Sequence, residues 1–248
     1  ISLTQTKWNI ELSQINISPS IFLLFVSPEF TDIKKVLNAL ISKYEDATIL
    51  GCSTAGEISD VTVKDQTISL TAIQLEKTTF KKVSFQVRDM NCSEKAGSEI
   101  AKNLPSSGLM FPLSMRDKEN AIPVVRTILA VDEEKQSLTF AGNILQDSYV
   151  RLMKANIDRL IDGAKESAVS ANELVKNDSQ LAILISCVGR RLVLKQLVEE
   201  EIEVVRNVIG DKPCITGFYS YGEIAPFGEF SPCELHNQTM TITTLTEC

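Results

Sequence analysis

Two short stretches of this chain are versions of one another, and that repetition limits the available folds more than any other feature. Leu50 onward reads LGCSTAGEI and Thr216 onward reads TGFYSYGEI, so both carry G-x-x-x-x-G-E-I. Downstream, Gln66–Leu70 (QTISL) answers Gln238–Ile242 (QTMTI), with the intervening loop six residues longer in the second copy. An apolar strand and an amphipathic helix precede each copy. The order strand, helix, strand, glycine-bounded turn, strand therefore occurs twice. The expectation is an α/β protein of two related halves arising by internal duplication, with mixed sheets covered by helices. The division falls between residues 107 and 108, giving halves 1–107 and 108–248. Architectures built this way tend to place ligands between their halves.

The individual elements follow from periodicity. Ile21–Ser27 (IFLLFVS), bounded by Pro19 and Pro28, reads as a buried strand. Thr31 or Asp32 caps a helix whose apolar stripe runs Ile33, Val36, Leu37, Leu40, Ile41, Tyr44. Thr48–Cys52, Thr67–Leu75 and the alternating Val83, Phe85, Val87 read as strands, and Ser93–Leu104 as a weaker helix. Past Pro105, Val124–Val131 and Ser137–Ala141 flank the polar turn Asp132–Gln136 as a hairpin. A long helix is expected from Ser148 to about Val175, then a buried strand at Leu181–Cys187 (LAILISC). A second helix carries Leu194, Leu197, Val198, Ile202, Val205 and Ile209 and ends at Gly210. Cys214–Ser220 and Gln238–Leu245 close the chain as strands.

Composition removes several classes of function. In 248 residues, 32 Asp and Glu outweigh 25 Lys and Arg, and no basic run exceeds two residues, so nucleic acid is excluded as a partner. The longest apolar run, Ile21–Val26, is far short of the roughly 20 residues of a membrane-spanning helix. Ile1–Trp8 lacks the charged-then-apolar pattern of a signal peptide. Six cysteines without any C-x-x-C pair fit neither a zinc site nor a disulfide scaffold, which points to a reducing, cytoplasmic setting. Cys52 and Cys214, in apolar stretches, are expected to behave as small hydrophobes. With one histidine, no H-E-x-x-H is possible, and Gly51–Gly56 is followed by Glu57 where a phosphate loop needs lysine. Catalysis is not expected; a Cys187 hydrolase, paired with His236, is the alternative enzyme reading.

Candidate binding residues gather around the second copy. Arg190 and Arg191 follow the apolar strand ending at Cys187 and open the next helix, where a guanidinium and free N–H groups can hold a carboxylate. The bland alternative is pairing with an acid. Glu57 and Glu223 sit one residue past a glycine in the two copies. Glu223 opposite Arg190 would make a site matched to a zwitterion, whereas the structural alternative has both glutamates fixing their loops. Tyr219 and Tyr221, two apart on a strand, would share a face and could wall a ligand or simply fill the core. His236, beside Asn237, is the only histidine for acid–base work, and a structural histidine bonded to backbone is the competing reading.

These same residues carry a resemblance to the FIST domain, a sensory module of signal-transduction proteins. Thr48–Ile58 (TILGCSTAGEI) is similar to its N-terminal half. Phe111–Met115 with Val124–Asn143, the helix from Ser148, Ile185–Arg190 (ISCVGR) and Gly217–Leu245 are similar to its C-terminal half. Family members carry a further long stretch between the parts matching up to Pro105 and from Phe111, which this chain crosses in a few residues. The resemblance implies a small-molecule sensor, with amino-acid-like or carboxylate ligands held by Arg190, Glu223, Tyr221, Tyr219, Cys187, Glu57 and Asn237. It implies a relay to a histidine kinase or diguanylate cyclase, as in bacterial two-component signalling; a homodimer is a further expectation. Some relatives are haem-based nitric-oxide sensors, for which His236 is the axial-ligand candidate here and no metal is otherwise expected.

Overall fold

The computed structural model describes residues 2–4, 11–80, 112–116, 123–132, 134–175, 179–226 and 233–247. The strand expected around Val83–Val87, the helix Ser93–Leu104 and the junction between the halves lie outside the described residues.

The first half begins with β1 (Ser2–Thr4), β2 (Ile21–Val26), α1 (Ile33–Lys43) and β3 (Thr48–Ser53). It continues with β4 (Glu57–Ser59), β5 (Thr62–Lys64) and β6 (Thr67–Ile73). The alternating apolar residues of β2 and the stripe of α1 meet in one core: Phe22, Leu24, Val36, Leu40, Ile68 and Leu70 are all buried. The sheet order is β1-β6-β2-β3, with β2 parallel to β3 and antiparallel to β6.

In the second half the strands are β7 (Leu113–Arg116), β8 (Val124–Arg126), β9 (Ile128–Asp132), β10 (Ser137–Phe140) and β11 (Tyr149–Leu152). Then come α2 (Ile157–Leu174), β12 (Leu181–Cys187), α3 (Val188–Leu194) and α4 (Val198–Ile209). The chain closes with β13 (Cys214–Ser220), β14 (Glu223–Pro226), β15 (Cys233–His236) and β16 (Met240–Leu245). A five-stranded mixed sheet, β16-β12-β13-β4-β5, is covered by α2 and α4. Ala164 and Ala168 of α2 and Ile202, Val205 and Ile209 of α4 pack on Ala182, Leu184, Ile215 and Tyr219. β7, β8 and β11 form a separate three-stranded sheet, and β9–β10 and β14–β15 are hairpins. No helix among the described residues is long and apolar enough to cross a membrane.

The α/β architecture with mixed sheets is the one anticipated, and its repeated unit has the same register in both halves. Gly51 stands opposite Leu24 on the parallel neighbour, and Gly217 stands opposite Leu184. At each, a Cβ would run into the facing leucine carbonyl oxygen, so the first glycine of the motif is required twice by one close backbone approach.

The G-E-I segments depart from the expectation of a turn. In the first copy they form β4, which leaves its own half and adds antiparallel to β13, with Ile58 opposite Gly217. Ala55 N donates to the Tyr219 carbonyl at 2.8 Å, and Tyr219 N donates to Gly56 O at 3.0 Å. Ile58 is thereby fully buried, a gain of about 1.5–3 kcal/mol relative to exposure. Its counterpart Ile224, on β14, is 76% exposed, because β14 pairs with β15 alone.

Three other expectations change. The long helix from Ser148 starts later: Tyr149–Leu152 form β11 on β7, and the Asn156 side chain caps α2 by accepting from Arg159 N at 3.3 Å. The following helix is interrupted at Lys195, whose φ of 54° breaks it into α3 and α4. Cys52 and Cys214 are exposed rather than buried as small hydrophobes, since they sit near a sheet edge and a strand start. Gly51→Ala and Gly217→Ala are each expected to lower stability by about 1–3 kcal/mol through the clash with the facing carbonyl. Urea unfolding checks this, and unchanged midpoints would refute the close-approach account.

Candidate ligand-binding site

Arg190 lies in the first turns of α3 and is 3% exposed. Its Nε and Nη2 donate to Glu201 Oε2 at 3.0 and 2.8 Å, and Nη2 also donates to the Leu160 carbonyl at 2.6 Å. The other oxygen of Glu201 accepts from Ser186 Oγ at 3.1 Å and from the Tyr219 hydroxyl. Burial and the neighbouring Glu201 carboxylate push the Tyr219 phenol up from its usual value. Arg190 and Tyr219, expected to touch a ligand, are instead joined through Glu201 in a buried network. The physical reason is stoichiometric: a fully buried glutamate needs its counter-charge at hand. Glu201 was missed in the sequence, although it falls on the stripe of Val198, Ile202, Val205 and Ile209 within an otherwise acidic first turn.

Arg191 points toward the first half. Its guanidinium pairs with Asp65 (Nη1 to Oδ1, 2.6 Å), donates to the Ala55 carbonyl, and stands 5.6 Å above the Tyr219 ring. The two motif glutamates are held alike. Glu57 accepts from Thr54 Oγ1 at 2.5 Å and Thr67 Oγ1 at 2.6 Å; Glu223 accepts from Ser220 Oγ at 2.5 Å and Thr239 Oγ1 at 2.7 Å. Each is 2% exposed, and burial raises both carboxyls above the ordinary value of 4.5 despite these donors. Glu223 does not face Arg190 across an open site. It lies behind Cys187, whose buried thiol is pushed up to about 12 by burial and by this carboxylate.

A cavity of about 340 Å³ opens beside this wall. Cys187, Val188 and Gly189 line it at the β12–α3 junction, Tyr221 and Asn237 after β13 and β15, and Leu235 on β15. The opposite wall is Thr127, Leu129, Phe140, Ala141 and Gly142. Local geometry makes that wall. The β9–β10 ladder pairs Thr139 with Ala130 but Phe140 with Ile128, which leaves Leu129 as a bulge residue aimed at the cavity. Gly142, at φ 117°, brings the loop over the Arg126 guanidinium, where a Cβ would meet Nε at 3.0 Å. Arg126 donates in turn to the Asn143 and Leu235 carbonyls at 3.2 and 2.8 Å, tying the two walls. Thr127 N donates to Asn237 Oδ1 at 3.4 Å.

Of the residues singled out in the sequence, Cys187, Tyr221 and Asn237 are thus brought together around one cavity. Glu223 backs it, whereas Arg190, Tyr219 and Glu57 are engaged elsewhere. The strand ends at Ser220, so alternation no longer governs Tyr221, which is half exposed while Tyr219 is fully buried. His236 is 3% exposed, and its Nε2 pairs with the Ala225 carbonyl at 3.1 Å. A haem needs an axial ligand turned into its pocket. His236 is not among the described residues that line this cavity, so it is not placed to ligate a haem there. Thr127 and Leu129 carried no motif and were missed, because a bulge and a distant loop create their role.

Fold and site together describe an α/β protein with a small-molecule cavity at the junction of several separate elements. The family model of the FIST C domain matches residues 87–226, more than half of the chain, and the chain belongs to the FIST domain family. That domain is associated with sensing in signal transduction. A search of curated proteins finds no match.

Two outcomes follow from the charged network. Arg190→Ala is expected to cost about 3–5 kcal/mol of stability by stranding Glu201, as read by denaturant unfolding. For Glu57, a folded-state carboxyl raised above 4.5 means that the native state holds the proton more tightly than the unfolded chain. Its contribution is therefore largest below that value and is lost as pH rises through the folded one. Nearby Asp65 acts in the same direction. Glu57→Gln should flatten the fall in stability above pH 4.5; a slope equal to the parent's would refute the assignment.

Proposed function

We propose that this chain is the sensing module of a signalling protein and that its small-molecule ligand occupies the cavity between Thr127–Gly142 and Cys187–Gly189. The observation that carries this reading is the position of α3. Its first residues, Val188 and Gly189, line the cavity. The next two, Arg190 and Arg191, hold Glu201 in one half and Asp65 in the other. A ligand that shifts the start of α3 acts at once on contacts joining the halves, and the difference in affinity between two arrangements is what a partner reads. A histidine kinase or diguanylate cyclase is the partner in this reading, in keeping with the family's association with signal transduction.

Catalysis has no part in it. Cys187, with its thiol at about 12 beside Glu223, serves as cavity wall rather than nucleophile. Free amino acids and simple carboxylates, the ligands that the resemblance implies, form the first panel to test, together with their neutral analogues. A ligand at about 100 times its dissociation constant stabilises by about 2.7 kcal/mol, or several degrees in Tm for a chain of this size. At least one compound should produce such a shift, and Ala141→Phe or Val188→Phe, which fill the cavity, should abolish it. A panel without any shift, or a shift indifferent to both fillings, overturns the assignment.

A further inference from the structure

The repeated unit has one strand edge that is filled in the second copy and open in the first. β13 lies between β12 and β4, and its Thr216, Gly217 and Tyr219 are buried. β3 is its counterpart. It pairs on one side with β2 and has no strand on the other among the described residues. Leu50, Gly51, Cys52 and Ser53 are all exposed there. Such an edge presents a row of unpaired N–H and C=O groups, a template for one more strand.

The strand that fits this template is also present, and it too has an open edge. β4 and β14 are the same segment of the motif, and each begins a hairpin, β4 with β5 and β14 with β15. Ile58 faces Val63 across the first hairpin, and Ile224 faces Leu235 across the second. β4 uses its remaining edge to add to β13, which sets Glu57, Ile58 and Ser59 opposite Phe218, Gly217 and Thr216. β14 has no such neighbour, and Ile224 and Leu235 stay 76% and 39% exposed. Glu223 nevertheless holds Ser220 and Thr239 just as Glu57 holds Thr54 and Thr67. The entry to β14 is therefore already set in the form that accompanies strand pairing in the first copy.

One chain does not join its own two open edges, so the occupant of each is a second copy of the chain. A reciprocal exchange satisfies both edges of both chains at once, as a two-fold contact requires. Residue-by-residue correspondence with the β4–β13 pair also gives the register: Glu223 opposite Cys52, Ile224 opposite Gly51 and Ala225 opposite Leu50. We propose that β14 of one copy adds antiparallel to β3 of another in this register, and that two such pairings close a homodimer.

The test uses the full chain at physiological salt. Sedimentation equilibrium should show the mass rising reversibly from 27.4 kDa toward twice that value. The contact is smaller than a standard interface, so chain concentrations up to about 500 μM are needed. Ile224→Lys should weaken association at least about tenfold by removing the apolar burial. The Tm of the dilute chain should not change, because this side chain is exposed in the single copy. The register is read by mixing a Leu50→Cys chain with an Ala225→Cys chain, both carrying serine at Cys52, Cys214 and Cys233. Under mild oxidation the mixture should give a disulfide-linked pair that neither chain gives alone, since directly opposed residues lie within disulfide reach. A mass that stays at one chain throughout overturns the proposal. Association that is indifferent to Ile224→Lys and yields no mixed disulfide overturns this surface. A cross-link formed only inside a monomer carrying both Leu50→Cys and Ala225→Cys overturns the second copy, because β14 then closes on its own β3.

Discussion

Moving an arginine and a glutamate out of water costs several kcal/mol per ion, and the arrangement holds only if every remaining donor and acceptor is met. Arg190 and Glu201 meet that condition. The guanidinium reaches Glu201 and the Leu160 carbonyl, and the carboxylate reaches Ser186 and Tyr219. These partners belong to α2, α3, α4, β12 and β13, so one ion pair sets the spacing between the central parallel strands and both covering helices. The packing of Ala164 and Ala168 against Ile202 and Val205 depends on that spacing. So does the position of α3, whose first turn forms one wall of the cavity.

The glutamates of the repeated motif play a quieter version of the same part. Each collects a hydroxyl three residues earlier and a threonine hydroxyl at the start of the final strand, pinning the loop between. Local chemistry is conserved between the two copies, while the surroundings differ. β4 finds β13 and buries Ile58; β14 pairs only with β15 and leaves Ile224 in solvent. Strand pairing between the halves therefore runs through the first copy, reinforced by Arg191 with Asp65 and Arg206 with Asp60.

The cavity stands where these constraints end. One wall continues from the β12–α3 junction; the other is a bulged hairpin and a glycine loop supported on Arg126. Arg126 and Asn237 tie that second wall to the strand end at Leu235–Asn237, so both walls are fixed by hydrogen bonds from elsewhere in the chain. Among the described residues the lining of the cavity carries no charged side chain, whereas the core network beside it is built on the buried Arg190–Glu201 pair.

Short-range pattern was enough to read the strands at Ile21–Val26, Leu181–Cys187 and Cys214–Ser220, the helix at Ile33–Lys43 and the repeated unit, because burial on one face imposes periods of two and 3.6 residues. It also drew attention to Cys187, Tyr221 and Asn237, which do meet at the cavity. It did not tell an arginine that binds a ligand from one that neutralises Glu201, because the partner lies in another helix and only packing decides which acid is buried. Nor did it separate a turn from a strand at Glu57–Ser59, since that strand exists through a neighbour, β13, more than 150 residues away in sequence. Thr127 and Leu129 owe their place to a bulge and to contacts across the chain. Sequence alone determined the local units and their repetition; tertiary structure decided which charges are consumed in the core and which surfaces remain, because desolvation is a property of the whole assembly of neighbours.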